Sequence, residues 1–231
     1  MGCASSKEVA LTPLHDVNAA KEVADLKAQV DQLKRQLASA GQSAAPAAAP
    51  AAAPAAASGK KQGGVVETLF FPDEKLPCRN NRRPGGCKRP HCEYSHTPTS
   101  LSRFLDYLGS ATRTLDICVF TITNDDISDV VLELHKKGVR VRIISDNDQA
   151  HTQGSDIDKF RQAGIAVRQD KTAAHMHHKF AIIDGRLLLN GSFNWTRQAV
   201  TANNENVTVL SDPTLIASFQ QQFDKLWDMF K

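Results

Sequence analysis

Pro46, Pro50 and Pro54 recur every fourth residue inside a run of alanines, and this spacing decides where a core can form. Alanine favours helix, but each proline removes a backbone donor and clashes with the preceding turn. Residues 41–64, ending in Lys60, Gln62, Gly63 and Gly64, therefore read as an extended, semi-stiff spacer. The folded domain is expected beyond it, over residues 65–231.

Within that domain, apolar runs alternate with helical patterns. Strand-like runs are Glu67–Phe71, Leu115–Ile122, Val139–Ile144, Ile165–Arg168, His177–Ile183, Leu187–Asn190 and Asn206–Leu210. Helix-like runs are Leu101–Gly109, Asp126–Lys137, Ser155–Ala163 and Pro213–Phe230. Interleaved strands and helices predict a layered α/β fold. Leu215, Phe219, Phe223, Leu226 and Phe230 form one stripe, so the last helix should pack on the sheet. Cys118 lies mid-strand and reads as a buried structural thiol.

The N-terminal side holds two further segments. Residues 1–15 begin Met-Gly-Cys-Ala-Ser-Ser-Lys, which fits myristoylation of Gly2 with palmitoylation of the adjacent Cys3. Two acyl chains would make a durable anchor where one is marginal. Residues 16–40 carry Val23, Leu26, Val30, Leu33 and Leu37 at spacings of three and four, an a/d seam. Either a short coiled coil or a single amphipathic helix satisfies that pattern.

Composition is ordinary for a soluble chain, with 41% hydrophobic residues, 23% charged residues and a net charge of +3. No apolar run approaches the roughly 18 residues of a membrane span. No continuous apolar core marks a secretory signal at the start. Three of the five cysteines cluster with histidines, which argues for a metal site in a reducing compartment over a disulfide framework.

The chemistry is expected around His177 and Lys179. Alternate side chains share a strand face, so these two point the same way. An imidazole can attack phosphorus or transfer a proton, and an ammonium neutralises the non-bridging oxygens. Gly191-Ser192-Phe193-Asn194 supplies a hydroxyl and a carboxamide for phosphate oxygens. Glu205 is a carboxylate able to fix the histidine's tautomer. Asp184-Gly185 reads as a hairpin turn, which gives Asp184 a supporting part. His175 reads as a surface residue, His178 as sheet-packing and Trp195 as core.

His-x-Lys-x4-Asp, then Gly-Ser-x-Asn, then Glu resembles the phospholipase D superfamily. The wider run Met176 to Asp184, with Gly-Ser-Phe-Asn-Trp-Thr after it, is similar to the mitochondrial cardiolipin hydrolase group, which includes the Zucchini endonucleases. The resemblance covers most of residues 65–231. It implies a phospholipase D-like sandwich, a mixed sheet flanked by helices. It implies His177, Lys179, Asp184 and Glu205 as the catalytic set, Ser192 and Asn194 as phosphate-binding residues, and a phosphohistidine on His177. No cofactor is implied for catalysis. One motif per chain implies a homodimer that supplies the second histidine.

Cys78, Cys87, Cys92 and His96 give C-x8-C-x4-C-x3-H, a donor set suited to a structural Zn2+. It is similar to CCCH zinc fingers with a middle spacing one residue short. A loop without metal, or His91 as a competing ligand, is the alternative. The same loop carries Arg79, Arg82, Arg83, Lys88 and Arg89 against Glu93, so it should attract phosphates of lipid or nucleic acid. Tyr94 offers a ring for stacking on a base.

Three functions follow as expectations. One is a membrane-anchored phosphodiesterase acting on a phospholipid, cardiolipin or phosphatidylcholine. The second is an endoribonuclease cutting single-stranded RNA. The third is a non-catalytic, membrane-tethered binding module. Acylation places the protein on the cytosolic face of a plasma or ciliary membrane, whereas the family resemblance points to the mitochondrial outer membrane.

Overall fold

The strand that carries the motif divides the core in two. In the computed structural model, alternate residues of β5 (Lys179–Ile183) enter different apolar clusters. Ala181 and Ile183 face one, Phe180 and Ile182 the other. The structure describes residues 27–32, 34–35, 63–150 and 153–231. The chain divides into two units, Met1–Ser58 and Gly59–Lys231. In the first, residues 27–32 and 34–35 are helical and exposed. Gly2, Cys3, most of the heptad seam and the Ala/Pro spacer up to residue 62 lie outside the described residues.

The second unit is a seven-stranded mixed sheet in the order β1-β7-β6-β5-β2-β3-β4. The remaining strands are β1 (Val65–Phe71), β2 (Thr114–Val119), β3 (Arg140–Ser145), β4 (Ala166–Gln169), β6 (Leu187–Gly191) and β7 (Glu205–Leu210). β2, β3 and β4 run parallel, and every other neighbouring pair is antiparallel.

One face is covered by α1 (Ser100–Gly109), α2 (Asp125–Lys136), α4 (Ile157–Gln162) and α5 (Arg197–Thr201). Short α3 (Asn147–Ala150) follows β3. α1 starts where Thr99 and Ser102 cap each other's backbone amides, and it buries Leu101, Phe104, Leu105 and Leu108. Trp195 is buried edge-on to Phe104, with ring centroids 5.4 Å apart.

The other face is covered by α6 (Pro213–Met229). Its start is set by Asp212, which accepts from the Leu215 amide, and by Pro213 in the first turn. Ile216 and Phe223 pack with Phe180, Ile182, Leu188 and Cys118. Beside them Arg142 makes a bidentate pair with buried Asp116, at 2.8 and 2.7 Å, and reaches Asp224 at 2.9 Å. This polar clamp fixes α6 in a way its apolar stripe alone does not.

The expected α/β layering and mixed sheet are present. The differences lie at element ends. The strand expected over His177–Ile183 begins at Lys179, because residues 175–178 leave the regular ladder. The one expected over Leu115–Ile122 ends at Val119. α3 and α5 are too short to show a periodic pattern.

Candidate active site

The C-terminal ends of β2, β3 and β6 and the starts of β5 and β7 lie along one edge of the sheet. His177 stands there, just before β5. Its ring is exposed and lies 4.6 Å, centroid to centroid, from Phe120, the residue after β2. Phe120 also meets His175 at 5.4 Å. The Lys179 Nζ sits 5.1 Å over the same ring and donates to the His177 carbonyl at 2.8 Å. The Phe120 amide in turn donates to the His178 carbonyl at 2.8 Å. One aromatic ring thus touches both an imidazole and the ammonium of the motif.

Partial burial, then the charges of Lys179 and His175, hold the His177 imidazole below its ordinary value, with Asp146 opposing. The neutral, nucleophilic form is favoured as a result. Burial lowers Lys179 too, and the charge of Glu205 counteracts it.

Gly191-Ser192-Phe193-Asn194 leaves the end of β6. A side chain at Gly191 would collide with the Asn206 carbonyl, because its Cβ would lie 2.0 Å from that oxygen. Glycine lets β6 close on β7, and the Asn206 amide then donates to Ser192 Oγ at 3.2 Å. Ser192 Oγ donates to Glu205, whose other oxygen accepts from Asn203 Nδ2 at 3.1 Å. Glu205 is therefore engaged by Ser192 and Asn203 rather than by the His177 ring of its own chain. The Asn194 Oδ1 is buried with no hydrogen-bond partner among the described residues. Such an orphan two residues from the Ser192 hydroxyl is suited to ligand contact.

Asp184 is placed differently. It follows β5 at the far end, roughly 16 Å from Lys179 at ~3.3 Å per strand residue. Its carboxylate accepts from the amides of Thr112, Arg113 and Thr114 at 3.0, 2.8 and 2.9 Å, and from Thr112 Oγ1 at 2.8 Å. Burial alone would raise this carboxyl, but those hydrogen bonds outweigh it and hold it well below the usual range. Positive φ at Asp184 and Gly185, with Arg186 donating to Ile183, makes the expected tight turn. Asp184 thus ties the β5–β6 hairpin to the start of β2.

Two residues at the site lacked a recognised signal. Phe120 sits where β2 ends, and Asp146 follows β3. A carboxylate directly after a buried parallel strand was the available clue, since ligand sites in such sheets gather at the strands' C-terminal ends. His178 packs edge-on to Phe180 at 5.4 Å, and Cys118 is buried with its thiol pushed upward by burial.

The cysteine cluster forms a separate lobe between β1 and α1. The Cys78 amide donates to the Ser95 carbonyl at 2.9 Å, and the Ser95 amide to Leu76 at 2.8 Å. This pairing brings Cys78, Cys87, Cys92 and His96 together, with all four ligand atoms within 4.8 Å of one another. Cys78 and Cys92 sulfurs are 3.7 Å apart. A tetrahedral Zn2+ with Zn–S bonds of about 2.3 Å needs sulfurs about 3.8 Å apart, so the donor set fits the metal. Burial opposes ionisation of Cys78, but hydrogen bonds from Asn81 and from the other three ligands lower its thiol to about 7. Arg79 pairs with Asp126 at 2.5 Å and Arg82 with Asp106 at 2.5 Å, docking the lobe on α2 and α1.

Comparison with known proteins agrees with this geometry. The family model described as "Cardiolipin synthase, PLD-like domain" matches residues 104–227, which contain His177, Lys179, Asp184, Ser192, Asn194 and Glu205. A Chlamydomonas reinhardtii protein called mitochondrial cardiolipin hydrolase is 93% identical over 232 residues, covering 100% of both chains. The human protein of that name is 40% identical over 174 residues, covering 71% of this chain and 68% of its own. The crystal structure of Nuc from Salmonella typhimurium, a phospholipase D family member, superposes with a TM-score of 0.55 at 27% identity. It covers 58% of this chain and 90% of Nuc. The chain belongs to the phospholipase D superfamily, in its mitochondrial cardiolipin hydrolase group, and is a phosphodiester hydrolase.

Proposed function

We propose that this phosphodiesterase hydrolyses a phospholipid, cardiolipin or phosphatidylcholine, to phosphatidic acid as a homodimer. The observation that carries the reading is an exposed His177 held against Phe120 and Lys179, at the same sheet edge as Ser192, Asn194 and Glu205. Neutral His177 attacks phosphorus: a P–N bond forms and the P–O bond to the leaving group breaks. The leaving oxygen takes a proton from His177 of the second copy, brought across a two-fold axis. That imidazole, now neutral, takes a proton from water. The water oxygen attacks phosphorus, the P–N bond breaks, and His177 is restored. Lys179, Ser192 and Asn194 bind the non-bridging oxygens, where charge grows in the transition state. Glu205 acts beside them through Ser192 and Lys179.

The chemistry of this mechanism runs through protein side chains, with no cofactor. A structural Zn2+ held by Cys78, Cys87, Cys92 and His96 would stabilise the lobe that precedes α1. Acylation at Gly2 and Cys3 would concentrate the enzyme on its substrate at the cytosolic face of a membrane; the mitochondrial outer membrane is the alternative, and the relatives' name supports the mitochondrion.

A second reading has its own support. Arg83, Lys88 and Arg89 form no ion pair among the described residues, and Tyr94, 44% exposed, lines one cavity with Arg89. Arg79, Asn80, Arg89, Tyr94 and Arg197 line a cavity of about 350 Å³. Cationic groups around an exposed ring suit single-stranded RNA. The full chain assayed side by side on cardiolipin or phosphatidylcholine vesicles and on single-stranded RNA separates the two. Phosphatidic acid released by wild type and not by His177→Asn supports the lipid reading. RNA cleavage with intact lipid overturns it. Gly2→Ala is expected to leave the membrane fraction, and a variant that stays bound contradicts the anchor.

A further inference from the structure

We infer that Asp146 is a positioning residue for the His177 centre, tying the irregular segment that carries the nucleophile to the end of β3. The inference rests on the reading of His177 as nucleophile. The segment needs such a tie, because residues 175–178 belong to no helix or strand. Asp146 is fully buried, with 0% of its surface exposed. A buried carboxylate is tolerated only when its oxygens are satisfied. Here one oxygen accepts from the amides of Asp148 and Gln149, both at 3.1 Å, at the start of α3. The other accepts from the Met176 amide at 3.1 Å and pairs with His175 Nδ1 at 3.1 Å.

Met176 immediately precedes His177, so its amide fixes where the next side chain begins. The Met176 side chain is buried against Cys118, with sulfurs 3.4 Å apart, and holds the same point from below. His175 meets the Phe120 ring at 5.4 Å between centroids, the same ring that His177 meets at 4.6 Å and Lys179 Nζ at 5.1 Å. Asp146 makes no hydrogen bond to His177 or Lys179; apart from its charge near the His177 ring, it acts through these neighbours. Its position after β3 places it at the reacting edge of the sheet, on the side away from Glu205.

The test uses the full chain, with bis(p-nitrophenyl) phosphate as a plain phosphodiester probe. Misplacing a reacting group by about 1 Å costs on the order of 100-fold in rate. Asp146→Ala is expected to lower kcat about 100-fold per folded chain while KM moves less than about threefold. Asp146→Asn keeps one acceptor oxygen, so it should fall between wild type and Ala. Amide exchange at Met176 should quicken in both. Turnover per folded chain equal to wild type in the variants overturns the inference. Should the Ala variant fail to fold, Asn alone decides: unchanged kcat and unchanged Met176 exchange refute the role. Wild type that never cleaves the probe defeats the phosphodiesterase mechanism itself. In that event, Met176 exchange and the Phe120–His177 ring contact seen by NMR still decide, and both unchanged in Asp146→Asn overturn the positioning role.

Discussion

His177 and Asp184 stand at opposite ends of β5: the imidazole precedes the strand at the end shared with Ser192 and Glu205, and the carboxylate follows it at the far end. The motif that joins them in sequence is therefore two devices on one strand. His177 and Lys179 face the site, while Asp184 fastens the strand's other end to Thr112, Arg113 and Thr114.

Asp184→Ala would leave three backbone amides without their acceptor. These part-buried donors each cost toward the low end of about 1–3 kcal/mol when orphaned, so a loss of about 3 kcal/mol is expected. For a domain of this size that is a fall of roughly 6–12 °C in Tm. Asn tolerates the positive φ of 52° and still accepts, so Asp184→Asn should cost less. The folded carboxyl titrates below its unfolded value of about 3.9, so its contribution is present above that pH and is lost as pH falls through the folded value. Thermal unfolding of both proteins across acid pH checks this: the gap between wild type and Asp184→Asn should narrow below about pH 4.

Partial burial first, and then the charge of Lys179, disfavour the charged form of the His177 imidazole. Wild-type His177 should titrate below 6.5, and activity should fall as pH drops through that value. Removing the neighbouring ammonium in Lys179→Met should move the titration upward, since His175 and Asp146 remain. NMR titration of the His177 ring reads this directly, whatever becomes of turnover. A downward shift in the variant contradicts the electrostatic account.

Gly191→Ala tests the close approach of β6 and β7. The added methyl would meet the Asn206 carbonyl, forcing the strands apart at Ser192 and Glu205. A loss of about 2–3 kcal/mol is expected, as for an overpacked core site. Turnover per folded chain should fall as well, because the displaced backbone carries Ser192.

For the cysteine lobe, metal analysis should find one zinc per chain, and Cys87→Ser or a strong chelator should remove it and lower Tm. Turnover per folded chain should stay within about threefold, since none of the four ligands contacts His177, Lys179, Ser192 or Glu205. Full zinc content in Cys87→Ser would point to another donor set.

The sequence made the layered sheet legible because β5 and its neighbours alternate cleanly between two apolar clusters, and Asp184-Gly185 announced its own turn. That His177 and Lys179 would stand together was legible from their spacing. What pattern could not convey was the support around them. Phe120 looks like one more strand residue, and nothing local says that its ring will meet His177, His175 and Lys179. Asp146 is a single acid whose partners lie at positions 175 and 176. The Arg142–Asp116–Asp224 clamp under α6 joins three distant segments, and its charges resemble surface residues until the fold buries Asp116.

In the proposed mechanism a ring nitrogen of His177 bonds to phosphorus. Rapid quenching of wild type during turnover of a phosphate-labelled phosphodiester should trap label on the protein. That label should be stable in base, labile in acid, and located by peptide mapping at His177. His177→Asn should carry none and release no product. Product formation by His177→Asn at the wild-type rate, or label mapped to another residue, would contradict the mechanism.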